Sequence, residues 1–281
     1  MKSLLILLLF SMLPAFAQDP APSGDDKDTP ISKVERKNRA PVSKEILKVT
    51  LPRAFETKID NGLTVLILED HRTPLVSAEL SIHGAGELYS PELPGVAHLT
   101  ALMLTRGTKG RKARQIAEET DKLGASLSVS APYGGESTVF SLSGLSETFE
   151  QAMMLTADVL VTPVFPEDEL NRLRQRELTA LQQQAANPNF LVNQKFAEVL
   201  YGKHPAAIES ATAASLNAIT REHLLKWHRE RYAPQNAVLT IAGDVDPKDI
   251  LSRRHVPHVS NLLLCRASDF TMEGANLIPE T

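Results

Sequence analysis

The sequence contains a single cysteine, Cys265, and aromatic residues make up only 5% of the chain. One cysteine cannot form an intramolecular disulfide, so the hydrophobic core must hold the fold together. A strong charge of one sign is also missing, because 30 Lys and Arg stand against 34 Asp and Glu. That balance removes the general electrostatic basis for nucleic-acid binding. Beyond the N-terminus, no run is long and apolar enough to span a bilayer.

The first fifty residues have the composition of a targeting segment followed by a linker. A lysine at Lys2, the apolar run Leu4 to Phe10 and the triplet Ala15-Phe16-Ala17 are typical of a secretory signal peptide with its cleavage site. Residues 18–50 are rich in Pro, Asp, Lys and Ser and have no apolar period, which predicts a flexible linker. We therefore expect removal of residues 1–17 and a secreted or periplasmic protein.

Residues 51–250 have the periodicities of one mixed domain. Asn61-Gly62 between two apolar runs predicts a β-hairpin with a primed turn, and strict alternation over 76–83 predicts a third strand. Two helices, two alternating strands, a series of helices and a last strand at 237–242 follow. This order predicts an α+β fold, with a mostly antiparallel sheet and helices packed on one face.

A histidine near the start of the first predicted helix is the strongest chemical signal. His98 lies in Gly95-Val96-Ala97-His98, and a short apolar run separates it from Gly107-Thr108. This stretch resembles the His-x-x-Glu-His signature of the inverted zincins, the pitrilysin, insulinase and mitochondrial-processing-peptidase family. In that signature, histidines at i and i+4 share one helix face and bind zinc, while the glutamate at i+3 reaches the metal-bound water.

Two positions of that signature carry aliphatic residues in this chain. Ala101 stands where the resemblance places the general-base glutamate, and Leu102 stands where it places the second histidine. A methyl group cannot accept a proton from water, and an isobutyl group cannot donate a lone pair to a metal. We therefore predict no catalytic residue, no metal ligand and no bound zinc, the cofactor that the family uses.

The third zinc ligand of the family is a glutamate on a later charged helix. Alignment of that helix puts Ala180 at the ligand position, 78 positions after Leu102 (180 − 102). Glu177 lies one turn earlier on nearly the same face and is a shifted alternative, although a solvated helix acid is the favoured interpretation. His98, Ala101, Leu102 and Ala180 are accordingly predicted as vestigial motif positions, with His98 a satisfied core or pocket histidine.

Several weaker motifs follow the order and spacing of the same family. They are Asn61-Gly62-Leu63-Thr64-Val65, Arg106-Gly107-Thr108, Leu123-Gly124-Ala125, Pro163-Val164-Phe165, Tyr201-Gly202-Lys203-His204-Pro205, Tyr232-Ala233-Pro234-Gln235-Asn236 and Gly243-Asp244-Val245-Asp246-Pro247. The resemblance implies one half of a two-half clam shell that closes over a peptide. Residues 251–281 have neither a helical nor a strand period, which indicates an irregular tail left by truncation or a frame shift.

The resemblance and the missing ligands together predict an exported, non-catalytic metallopeptidase-like protein. Its partners are expected to be peptides or a catalytic homologue, with which it would form a heterodimer. Two alternatives remain open at this point: an active zinc endopeptidase that uses His98 with shifted ligands such as Glu177, and a truncated fragment without independent function.

Overall fold

A computed structural model describes residues 53–251 of the chain. The predicted signal peptide at 1–17 and the linker at 18–50 lie outside the described residues, as does the predicted tail apart from Leu251. Those three assignments remain predictions.

The described residues form six strands and eight α-helices, together with several single turns of 3-10 helix. The strands are β1 Phe55–Lys58, β2 Thr64–Glu69, β3 Leu75–His83, β4 Ser126–Ser130, β5 Ser137–Leu145 and β6 Ala237–Gly243. The helices are α1 Val96–Leu104, α2 Ala113–Lys122, α3 Phe149–Val161, α4 Glu167–Ala185, α5 Pro188–Tyr201, α6 Ala213–Ala218, α7 Arg221–Arg231 and α8 Pro247–Ile250. None of the helices described is both long and apolar enough to cross a membrane.

All six strands belong to one sheet, in the order β1-β2-β6-β3-β5-β4. Four of the five neighbouring pairs are antiparallel, and only β2 and β6 run parallel. The parallel pair arises because β6 returns from the helical half of the chain and inserts between β2 and β3, antiparallel to β3 and therefore parallel to β2. The predicted α+β class with a mostly antiparallel sheet is confirmed.

The sheet buries one of its faces. Along β3 the side chains alternate, so that Val76, Ala78, Leu80 and Ile82 are buried and their neighbours are mostly exposed. Helix α3 packs against β5 on this sheet, and α1 packs against β4 and α7. Burying each large aliphatic side chain contributes about 1.5–3 kcal/mol, so this common core supplies the main stabilisation that disulfides cannot give.

The β1–β2 hairpin is present, but its turn is not of the primed type. A type I′ turn needs positive φ at both central residues. Among the described non-glycine residues only Phe165 has a positive φ, whereas Gly62 has φ 92°. The amide of Gly62 donates to the carbonyl of Ile59, and the side chain of Asn61 accepts from the amide of Leu63. The loop is therefore a three-residue connection with its glycine in the left-handed region.

Three further local details concern the helices. Ser146 does not cap a helix: a 3-10 turn at Ser146–Thr148 precedes α3, and the Ser146 hydroxyl donates to the Asp244 carboxylate. Helix α6 was not predicted, because six residues are too few to show a helical period. After α2, Gly124 has φ 60°, the left-handed conformation that glycine commonly adopts at the end of a helix.

Candidate functional site

The candidate site is built around α1, which is apolar on nearly every side and is therefore buried. Within this helix only His98 and Leu102 are even partly accessible. The helix begins after Gly95, whose φ is 103°. A side chain at Gly95 would be strained, and its Cβ would come within 3.1 Å of the Ala211 Cβ. Glycine thus allows α1 to start directly against a neighbouring segment.

A buried glutamate that the sequence analysis did not identify holds the start of α1. The Glu87 side chain is 4% exposed, and its carboxylate accepts from the amides of Gly95 at 3.0 Å and His98 at 2.6 Å. The Ser90 hydroxyl donates to the same carboxylate at 2.8 Å. Gly95 itself offers no side-chain cap, so Glu87 supplies the acceptor that the amides of Gly95 and His98 lack within the helix. Its negative charge also complements the positive end of the helix dipole.

His98 is fixed at both ring nitrogens. Its Nδ1 lies 3.1 Å from the carbonyl oxygen of Ala131, which can only accept, so Nδ1 carries a hydrogen and donates this hydrogen bond. Its Nε2 lies 3.6 Å from Oε2 of Glu177 on α4. The ring of Tyr133 lies against the imidazole, with ring centroids 5.0 Å apart. The prediction of a satisfied pocket histidine agrees with these contacts.

The charges of His98 and Glu177 support each other. Burial of the His98 imidazole lowers its pKa, but the Glu177 carboxylate and the Ala131 carbonyl outweigh this effect and raise the pKa above its usual value. The interaction with the His98 ring holds the pKa of Glu177 below its usual value despite partial burial. Burial also raises the pKa of the neighbouring Tyr133 hydroxyl. The site therefore favours an imidazolium–carboxylate pair beside a neutral phenol.

The interpretation of Glu177 as a solvated helix acid is wrong. Its side chain is 19% exposed, and its two oxygens face His98 and Arg176. The packing of α4 on α1 turns this acid inward, and sequence periodicity does not specify that crossing geometry. The vestigial position assigned to Ala180 lies three residues further along α4 and remains a prediction. A histidine in a pocket needs a polar partner, and this requirement is the signal that favours Glu177 as an inward-facing acid.

The two aliphatic motif positions lie on the same helix as His98. Ala101 is fully buried, and the partly buried Leu102 packs against the hydrophobic core. Zinc in a catalytic site needs three protein ligands with nitrogen, sulfur or oxygen donors. His98 and Glu177 supply two donors, whereas Leu102 supplies none. Within residues 53–251, no group of three His, Cys, Asp or Glu side chains is arranged to hold a metal ion. The donor set does not fit a catalytic zinc.

Family comparison identifies the fold independently of these contacts. Residues 64–213 match the model of insulinase, peptidase family M16, and residues 218–253 match the model of the peptidase M16 inactive domain. The first match includes the whole of α1 and α4. It therefore covers both elements that form the candidate site.

Relatives in sequence are about twice as long as the matched region. An uncharacterized zinc protease of Rickettsia bellii is 32% identical over 196 residues, which are 69% of this chain and 47% of that protein. A probable mitochondrial-processing peptidase subunit beta of Arabidopsis thaliana is 24% identical over 206 residues, 73% of this chain and 38% of its own. The chain thus spans about half the length of the relatives it matches, or less.

Solved structures give the same result. The peptidase M16 inactive domain from Pseudomonas fluorescens has a TM-score of 0.70 and 31% identity, covering 75% of this chain and 51% of that one. The periplasmic protease PqqL from Escherichia coli has a TM-score of 0.67 at 20% identity, covering 79% and 26%, and supports the fold alone. The family match over more than half of the residues places this chain in the insulinase family, peptidase family M16.

Proposed function

We propose that this protein is an exported, non-catalytic member of the insulinase family that binds peptides or assembles with a catalytic homologue. The observation that carries the proposal is the pair of aliphatic residues at the catalytic positions. Ala101 cannot act as a general base, and Leu102 cannot ligate zinc. His98 is at the first ligand position, Glu177 lies one turn before the third, and these two polar groups interact with each other.

The local structure supports retention of the fold without the chemistry. Glu87 still anchors the start of α1, and Tyr133 still covers the His98 ring. Ala101 and Leu102 pack with apolar neighbours instead of leaving a polar cavity. A surface built on this scaffold can bind an extended chain or a partner subunit, functions that need shape and backbone contacts but no activated water.

The competing function is a zinc endopeptidase that uses His98 and Glu177. The 3.6 Å separation of His98 Nε2 and Glu177 Oε2 favours this alternative, because two donors so close together can face one ion. The missing general base and third ligand count against it.

Export is inferred from the apolar segment Leu4 to Phe10 and the small residues that follow.

Peptide cleavage by the purified chain distinguishes the two functions. We expect no chelator-sensitive hydrolysis of an unstructured protein substrate, and the same background rate for the His98→Ala variant. Turnover that a chelator abolishes, and that His98→Ala also abolishes, would establish the enzyme instead. Zinc-loaded protein and an active member of the same family are the necessary controls.

Co-expression tests the partner role and separates it from a fragment without function. We expect an intact-motif homologue from the same organism to co-purify with the chain and to raise its thermal midpoint. A folded chain that associates with no homologue and binds no peptide would contradict the proposal. Failure to fold with or without the homologue would favour the fragment.

A further inference from the structure

Helix α5 exposes an apolar surface that the described fold leaves uncovered. Its large exposed side chains are Leu191, Val192, Phe196, Val199, Leu200 and Tyr201, with exposures from 45% to 75%. Ala197 is the only buried residue of the helix. Tyr201 projects from the side of the helix near Ala197, and we call the other five side chains, from Leu191 to Leu200, the α5 stripe. Half of the large hydrophobic side chains that are exposed among the described residues therefore belong to one helix of 14 residues.

The spacing concentrates the outermost members on one line. Val192, Phe196 and Val199 are separated by four and three residues, so they lie one above another on the side of the helix away from Ala197. Leu191 and Leu200 flank this line. The stripe exposes on the order of 500 Å², which is in the upper part of the range that a monomer leaves open to water. Scattered surface hydrophobics do not produce such a surface.

The charges of α5 select the kind of partner. Lys195 and Glu198 are its only charged residues, and Lys195 Nζ lies 2.8 Å from Glu198 Oε2. Both lie on the same flank of the line formed by Val192, Phe196 and Val199. Their midpoint lies beside Phe196, within one residue of the centre of the stripe. Opposite charges on either side of the centre make the surface complementary to itself.

We propose that the α5 stripe is the contact through which two copies of this chain associate, with the two helices antiparallel. In antiparallel pairing about the stripe centre, residues on the same flank of the two helices meet. Lys195 of each copy then lies opposite Glu198 of the other, and Phe196 packs near the two-fold axis. A parallel pairing brings opposite flanks together, so Lys195 and Glu198 would lack a charged partner on the other copy, and this pairing is therefore disfavoured.

The area limits the strength of the association. A standard stable interface buries about 800 Å² per partner, and the stripe alone is smaller than that. The apolar line would form the buried centre and the Lys195 and Glu198 pairs the polar rim. The expected dimer is reversible and depends on concentration. This inference does not depend on whether the chain cuts peptides.

Analytical ultracentrifugation of the full-length protein, purified after any processing by the cell, measures the association over a series of protein concentrations. Phe196→Ser is expected to weaken the dimer about tenfold or more, because it removes the central apolar anchor. The matched control is Phe55→Ser, which removes an exposed ring from β1. We expect the control to leave the association constant unchanged. Circular dichroism establishes that both variants are folded.

Charge exchange tests the antiparallel orientation separately. Lys195→Glu and Glu198→Lys each place like charges together at the two-fold axis and are expected to weaken self-association several-fold. An equimolar mixture of the two variants, or the double exchange in one chain, is expected to restore it. A parental chain that stays monomeric at all concentrations would overturn the proposal. So would equal effects of Phe196→Ser and Phe55→Ser, or a mixture that fails to recover.

Discussion

Replacing the buried acid that anchors α1 should destabilise the whole domain. In Glu87→Ala the amides of Gly95 and His98 lose their acceptor inside the protein, while the Ser90 hydroxyl keeps the Glu87 backbone carbonyl at 3.1 Å. Each buried amide left without a partner costs about 1–3 kcal/mol. Two such amides give an expected loss of about 4 kcal/mol in the free energy of unfolding. That is a large part of the stability of an ordinary domain.

Two comparison variants make the Glu87 prediction specific. Glu87→Gln keeps one carbonyl oxygen, but its amide nitrogen cannot accept a hydrogen bond, so we expect about half of the loss. Glu92→Ala changes an exposed acid in the same connection and should stay within about 0.5 kcal/mol of the parent chain. Urea unfolding monitored by circular dichroism supplies the midpoints, provided that the slope is unchanged. A Glu87→Ala chain as stable as Glu92→Ala would refute the assigned role.

Two further predictions concern titration. The raised pKa of His98 stabilises the fold at low pH and loses its effect as pH rises through the folded-state value, whereas the lowered pKa of Glu177 stabilises at higher pH and loses its effect on acidification. Glu177→Gln should therefore lower stability most between pH 4.5 and 6.5, the ordinary pKa values of the two groups. Urea melts at a series of pH values measure this loss. A loss that does not change with pH would contradict the pairing of His98 with Glu177. Burial lowers the pKa of His228 from 6.5 to about 4. The unfolded chain binds this proton at a higher pH than the folded chain does, so about 3 kcal/mol of stability should be lost as the pH falls from 6.5 to about 4. His228→Gln should reduce this dependence of stability on pH.

Sequence periodicity was sufficient for the architecture. The alternation along Val76 to His83 identified β3 and its buried face. This signal is local, since it reflects burial of neighbouring residues in one element. Turn geometry was less accessible, because Asn61-Gly62 is compatible with more than one hairpin loop and the choice depends on the strands that the loop joins.

The contacts that define the candidate site are long-range, and the sequence pattern did not contain them. Glu87 precedes His98 by eleven residues, and no local capping motif connects the two. Glu177 reaches His98 only because α4 crosses α1 at one particular rotation. Gly95 has no side chain that could cap α1, so the first amides of this helix need an acceptor from elsewhere in the chain. Glu87 is the acid that supplies it. The aliphatic residues Ala101 and Leu102, by contrast, are evident from the sequence alone.

Metal content tests the central claim most directly, that an aliphatic residue replaces a zinc ligand. The parent chain and a Leu102→His variant are purified in zinc-containing buffer, freed of loose metal by gel filtration and measured by elemental mass spectrometry. We expect well under one zinc per parent chain. The variant should hold about one, because the introduced imidazole joins His98 and Glu177 in a three-ligand set. One zinc per parent chain that disappears in His98→Ala would contradict the account.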